Sequence, residues 1–406
     1  MPKTIINRKI NETANLPVYL LLVLLIFGQL ESIYLGQGVY IYLHEFILAG
    51  LGLMWILNYI KKPTRHVGTL LQPFVLFIGA GIISLLFNLN NFTAGQITIG
   101  ALYLIRFILY FCLYLYLSAK PLDTQKLIKA IYLSIIGFAV IGNLQYWLYP
   151  DLRNLIYLGW DPHYFRLFST VLDPNFAGII LVVGFISGLM ITNPPKILTL
   201  VFQSFILLSL VLTYSRSAYL ALVTGLAVKM VLSKKIRYIL VIAVMCVLYL
   251  LVPKSGLDVS SLTRWDSTAA RFVNWNRSFT LILEAPIFGY GFNTLRFISD
   301  KNQPGQYVSR AGAGIDNSFL FVTAATGIVG LWAFINLWKQ IILLGTKKPQ
   351  SDVQPHGRQL YISLLAAIVL HSMFNNTLFY PWIMIYVWIY AALFTEPTSV
   401  SQRRRL

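Results

Sequence analysis

Charge is what this chain has least of, and acidic charge least of all. Only 11% of its 406 residues are Asp, Glu, Lys or Arg, and just 14 are acidic against 32 basic. An ordinary soluble domain carries about 25% charged residues, so that class is excluded. Cysteine is nearly absent as well. Cys112 and Cys246 lie far apart inside apolar runs, which argues against a disulfide framework or a cysteine metal site and leaves both as packing residues. No fixed-period repeat and no low-complexity tract is visible, so solenoid and linker architectures drop away. The first apolar run reads as a first membrane span and not as a cleavable signal.

What fills the chain is apolar: 57% hydrophobic residues and a mean hydropathy of +0.69. This composition predicts an all-α, polytopic membrane protein, a single membrane domain over 1–406. Twelve spans are expected, at about 16–35, 38–60, 67–87, 98–118, 127–149, 176–192, 197–213, 218–232, 237–253, 316–337, 359–375 and 380–396; each approaches the length that crosses a hydrocarbon core of about 30 Å. Alternate loops collect the basic residues, among them Lys61, Lys62 and Arg65, Lys120 to Lys129, Lys234 to Arg237, Lys347, Lys348 and Arg358. Positive charge marks the cytoplasmic side, which places both termini in the cytoplasm of a cell (inner) membrane. The same rule explains most of the +18 net charge, so nucleic acid is not expected as a partner and membrane lipids are.

Some positive charges fall on the wrong side for that rule. Arg153, Arg166, Arg216 and a cluster within 254–315 all lie in outer segments. The 254–315 stretch is the one long external loop, with seven basic and four acidic residues among Trp265, Phe272, Trp275 and Tyr290. Its middle, Ser267 to Glu284, reads as an amphipathic helix capped at Ser267 or Thr268. Phe272, Trp275, Phe279 and Ile282 form its apolar face, and Pro286 closes it. Arg271, Asn274 and Arg277 form an i, i+3, i+6 ridge on its polar side, suited to an anion or a lipid head group.

Four outer motifs carry candidate chemistry. In Thr213-Tyr214-Ser215-Arg216-Ser217 a guanidinium interrupts an apolar region, which marks either a functional site or an arginine snorkelling to the interface. In Arg166 to Asn175, Asp173-Pro174-Asn175 reads as a turn and helix start, which leaves Arg166 unexplained. Ala285-Pro286-Ile287-Phe288-Gly289-Tyr290-Gly291 is a glycine-bearing turn, weak as a phosphate loop because it lacks the strand and helix context. Asp316-Asn317-Ser318-Phe319-Leu320 precedes Gly327-Ile328-Val329-Gly330, and Asp316 is readable as a helix N-cap or as a base toward an acceptor hydroxyl. His371 stands near the outer end of its span, either close to the site or a satisfied core histidine.

These motifs, in this order, resemble the O-antigen ligase and polysaccharide polymerase superfamily, most strongly over about 160 to 380. The resemblance implies a metal-independent, inverting glycosyltransferase with no cofactor. Its donor would be a polyprenyl-pyrophosphate-linked glycan, and its acceptor a hydroxyl of lipid A-core, of a growing polysaccharide or of a protein. Carried over by motif, Arg216 and Arg166 contact the pyrophosphate with Ser215 beside them, Arg271, Arg277 or Arg310 contribute from the loop, and Asp316 with Asn317 and His371 stand on the acceptor side. Where ligases acting on lipid A-core carry a His before Asn-Ser, this chain has Asp316. The competing class is a transporter or flippase for lipid-linked oligosaccharides, supported by Arg106 in mid-span and by His44-Glu45 inside another.

The charge asymmetry of the loops makes a direct prediction. In a chain lacking Cys112 and Cys246, Ser299→Cys should react with an impermeant thiol reagent on intact spheroplasts. Labelling only after the membrane is broken would invert the topology.

Overall fold

The computed structural model describes residues 16–36, 39–61, 68–120, 122–236, 238–251, 262–302, 314–346 and 355–395. They are mostly helical. In chain order the helices are α1 (Leu16–Glu31), α2 (Leu43–Lys61), α3 (Leu71–Phe87), α4 (Ala94–Ser118), α5 (Thr124–Leu148), α6 (Pro174–Met190), α7 (Lys196–Leu212) and α8 (Arg216–Ser233). There follow α9 (Tyr238–Leu251), α10 (Leu262–Glu284), α11 (Leu295–Asn302), α12 (Ser318–Leu344), α13 (Pro355–Ser372) and α14 (Pro381–Leu393). Among the described residues five helices, α2, α4, α5, α8 and α12, are long and apolar enough to cross a membrane, and α1, α3, α6, α7, α9 and α14 are shorter apolar helices.

The expectation of an all-α chain needs one correction. Between α1 and α2, β1 (Ser32–Gly36) and β2 (Val39–Tyr42) form an antiparallel hairpin, pairing Ser32 with Tyr42 and Tyr34 with Tyr40. The residues explain it: Ile33, Tyr34, Val39, Tyr40 and Ile41 are β-branched or aromatic and suit a pleated surface better than a helix end. The spans expected at 16–35 and 38–60 are therefore shorter helices with a hairpin between them.

The centre of the bundle is α14, whose residues Trp382 to Leu393 are all buried. A helix apolar all round has no face to offer water and is placed inside. Around it α4 packs on α2 and α14, α3 on α12, and α6 and α8 on α13. Phe74, Phe77, Phe107 and Phe111 meet Trp388, Phe334 and Phe379 in an aromatic core, with Phe74 stacked on Phe111 at 3.7 Å between ring centres.

The ionisable residues that suggested a transport pathway are paired inside this bundle. His44 Nδ1 meets Glu31 Oε1 at 2.5 Å and His44 Nε2 meets the Tyr110 hydroxyl at 2.6 Å. Arg106 Nε lies 2.7 Å from Glu45, and its guanidinium also donates to the Tyr40 carbonyl of the hairpin. Charges taken out of water persist only with such partners. Here they fasten α1, the hairpin, α2 and α4 to one another.

The glycine-bearing turn is also structural. α12 is broken at Gly327 (φ +67°), and the turn after α10 docks into the break: Ile328 N–H donates to Pro286 O at 2.9 Å, while Tyr290 and Gly291 donate to the carbonyls of Ala324 and Ala325 at 3.0 and 2.9 Å. A Cβ on Gly327 would lie 2.0 Å from Ile287 O, and one on Gly289 (φ +65°) would lie 2.5 Å from the backbone of Ala325 and Thr326. Backbone meets backbone here, so both glycines are required by contact as well as by conformation. Gly327→Ala should lower the thermal midpoint of the detergent-solubilised protein by several degrees, since strain of about 1–2 kcal/mol adds to the clash. An unchanged midpoint would show that the interlock is dispensable.

Candidate functional site

The outer motifs are brought together by hydrogen bonds between segments distant in sequence. Arg166 lies on the segment leading into α6, where Leu167 N–H donates to Leu212 O at 2.9 Å and Arg166 Nε to Thr213 O at 2.9 Å. This joins the Arg166 motif to the Ser-Arg-Ser turn. Asp173 then caps α6 with its side chain, accepting from Asn175 N at 2.6 Å and from Phe176 N at 3.3 Å, with Pro174 in the first turn. The helix start read from Asp173-Pro174-Asn175 is thus present.

The turn at Tyr214 has positive φ, and Ser215 caps α8 so that Arg216 is its first residue, exposed. Ser215 Oγ donates to Asn175 Oδ1 at 2.9 Å. Ser217 Oγ lies 3.2 Å from His371 Nε2 and accepts from Asn375 Nδ2 at 3.0 Å. His371, fully buried, places its other nitrogen 2.7 Å from Thr377 Oγ1. Both ring nitrogens are engaged, so this histidine is the satisfied core residue and at the same time a strut between α8 and α13. From there the seam continues to α12: Asn317 Nδ2 donates to Met373 O at 3.0 Å, and Ser318 Oγ to Asn376 Oδ1 at 3.1 Å.

Asp316 requires a correction. The cap of α12 is Asn317, whose side chain accepts from Phe319 N at 2.9 Å and Leu320 N at 3.1 Å. Asp316 precedes the cap, and its backbone N–H donates to Asn274 Oδ1 at 3.2 Å. Its carboxyl has no capping duty. Burial pushes its pKa up to about 6, partly offset by Arg271 and reinforced by Asp173 and Asp161. A desolvated carboxyl of this kind is a usable proton acceptor near neutral pH.

The amphipathic helix is longer than expected, and its inward side cuts across both predicted faces. α10 begins at Leu262 and ends at Glu284, so neither Ser267 nor Thr268 is its first residue. Its inward residues are Arg271, Asn274, Trp275, Ser278 and Leu281, while Phe272, Phe279 and Arg277 are exposed. The predicted ridge is split: Arg271 and Asn274 face the seam and Arg277 faces away. Arg271 lies within electrostatic reach of Asp316, Arg216 and Asp173, and its burial lowers its pKa from the usual arginine value. Arg310 lies outside the described residues.

Two side chains not singled out from the sequence belong to this neighbourhood. Asp161 acts electrostatically on both Asp173 and Asp316. His163 is kept neutral by burial and by Arg166, and its buried Nε2 has no hydrogen-bond partner. Nothing local in Asp161-Pro162-His163 announces this, because the segment is brought to the site by the pairing of Leu152 N–H with His163 O at 2.8 Å and of Asp151 with Tyr164.

Arginines from three segments and a raised carboxyl therefore meet on one polar seam. Residues 201–335, which hold the Ser-Arg-Ser turn, α10, the glycine turn and Asp316, match the family model described as O-Antigen ligase. The matched stretch, about a third of the chain, is similar to that family. That match and the chain's apolar helices make it an integral membrane protein. Among curated proteins none matches the chain. Within the matched stretch the two readings of the Asp316 motif now separate by measurement. Asn317→Ala should cost about 0.5–2 kcal/mol as a lost cap. Asp316→Asn should leave stability at pH 7 unchanged or higher, because a carboxyl whose folded pKa is raised weakens the fold as pH climbs from 3.8 through about 6. Thermal unfolding of the two variants at pH 5 and pH 7 checks both signs.

Proposed function

We propose that this protein is a membrane glycosyltransferase of the O-antigen ligase type, transferring a glycan from a polyprenyl-pyrophosphate donor to an acceptor hydroxyl at the outer face of the cell membrane. The single observation that supports it is the convergence of Arg166, Arg216 and Arg271 with Asp316 on one seam. The reaction is metal-independent and inverting, as the family resemblance implies. The acceptor is a lipid, a growing polysaccharide or a protein.

In this reading Arg216, Arg166 and Arg271 face the pyrophosphate, with Ser215 holding Asn175 and the α8 start in place. Negative charge grows on the pyrophosphate as the anomeric C–O bond breaks, and fixed guanidiniums in a partly dry site stabilise it without reorganising. Asp316 takes the proton of the acceptor hydroxyl as its oxygen bonds to the anomeric carbon from the face opposite the leaving group. The products are the extended acceptor and polyprenyl pyrophosphate. Asn317 and His371 act at one remove, holding the α12 start and the 371–378 segment; Arg277 and Arg310 are available to the incoming glycan. His163 offers its open Nε2 to a hydroxyl or phosphate oxygen. Both termini are cytoplasmic, twelve spans cross the inner membrane, and 254–315 covers the site from outside.

The test is single-turnover transfer from a lipid-linked glycan, with donor binding measured separately. Arg216→Ala should abolish transfer without loss of insertion, and Arg216→Lys should restore little, since an ammonium does not reproduce a bidentate fork. The wild-type rate should rise roughly tenfold per pH unit below about 6 and level off above it, as the Asp316 carboxyl loses its proton. Asp316→Asn should erase that limb and cost on the order of 10²–10⁴ in rate with donor affinity little changed. An Asn variant turning over at the wild-type rate removes Asp316 from the chemistry.

A further inference from the structure

The exposed side of α10 is as informative as its inward side. A helix lying on a protein in water turns its apolar stripe inward. α10 leaves a large apolar stripe outside as well: Arg271, Asn274, Trp275, Ser278 and Leu281 point at the bundle, while Phe272 (58% exposed), Phe279 (52%) and Leu283 (79%) point away from it. At 100° per residue these three lie within about 40° of one another around the helix, whereas Arg277 lies about 140° from Phe272. The stripe is thus flanked by the exposed Asn276 and Thr280, and Arg277 and Glu284, about 140° and 120° from Phe272, are exposed beyond it. A contiguous apolar face of this kind marks a contact with something other than water.

The neighbouring surface identifies the occupant. Ile287, just past the helix, continues the stripe, and Phe288 next to it stacks on Phe87 at 4.2 Å between ring centres. Phe87 (64% exposed) closes α3, an apolar helix whose exposed Leu86 and Leu89 belong to the same end. In an integral membrane protein such residues face acyl chains, and through Phe87, Phe288 and Ile287 the apolar surface of α3 reaches the end of α10. Exposed aromatic and aliphatic residues on one side, with a cation at the boundary, are the pattern of a helix lying in the interface plane.

We propose that α10 lies flat in the membrane interface, its Phe272–Phe279–Leu283 stripe sunk among the acyl chains of the surrounding lipid, with Arg277 at head-group level. This requires only that the protein is integral to the membrane and does not depend on the glycosyl transfer proposed above. Its consequence for any lipid-borne substrate is geometric. Arg271 and Asn274, about 100° and 160° around the same helix from Phe272, are then held at the depth where a lipid's polar head begins.

The experiment places single nitroxide labels on the full chain in phospholipid nanodiscs, in a Cys112→Ala, Cys246→Ala background, at positions 272, 279, 283, 277 and 284, with 86 as the lipid-facing reference. Collision with oxygen, which concentrates in lipid, is compared with collision with a water-soluble nickel chelate. Oxygen should prevail at 272, 279 and 283 to the same degree as at 86, and nickel at 277 and 284. Nickel prevailing at 279 and 283 would put the stripe in water and overturn the proposal. Low collision with both reagents there would overturn it too, by showing that protein covers the face. Five separately exposed positions protect the reading from the failure of any one variant.

Discussion

A polar group inside an apolar bundle must be partnered, because unmet hydrogen-bonding capacity costs far more there than in water. That constraint organises this protein. The seam from Thr213 through Ser215, Asn175, Ser217, His371, Asn375 and Asn317 to Asn274 is a run of side chains and backbone groups, each hydrogen-bonded to a partner from a distant segment. Segments from α6, α8, α10, α12 and α13 are held in register by it. The same bonds that satisfy the seam put Arg216, Arg271 and Asp316 into one neighbourhood, so the site follows from how the bundle closes.

The same constraint sorts the buried charges into two kinds. Glu31, His44, Glu45 and Arg106 compensate one another and tie the amino-terminal elements together. Near the seam the balance differs: Asp173 is spent on capping α6, Asp316 is desolvated, and burial lowers the pKa of Arg271. A surplus of guanidinium beside a carboxyl of raised pKa suits an anionic leaving group and a proton to be removed.

Backbone geometry supplies the remaining support. The break in α12 at Gly327 exposes carbonyls of Ala324 and Ala325, and the turn after α10 donates to them. Two glycines with positive φ make that approach possible at contact distance. The stretch that resembled a weak phosphate loop is therefore a clasp, and it sets the direction in which α10 leaves the bundle.

Helix positions, the membrane class, and the helix start at Asp173-Pro174-Asn175 were legible in the residues themselves, since composition, apolar run length and capping chemistry are local. The Arg166 and Arg216 motifs were legible for a related reason: a cation in an apolar outer segment is conspicuous wherever it falls. What the tertiary structure decided is which partner each polar atom takes. Asp316 and Asn317 are adjacent and both able to cap; in the fold Asn317 caps α12, while the backbone N–H of Asp316 donates to Asn274 of α10. The hydrophobic period of α10 marked it as amphipathic but did not fix its faces: Trp275 turns inward while Phe272 and Phe279 turn out, and Arg271 and Asn274 turn inward while Arg277 does not, because that depends on what packs against each side. His371 with both nitrogens used, and His163 with an open one, differ only in neighbours brought from elsewhere in the chain. Side-chain chemistry is written one residue at a time, whereas desolvation and partnership exist only once distant segments have met.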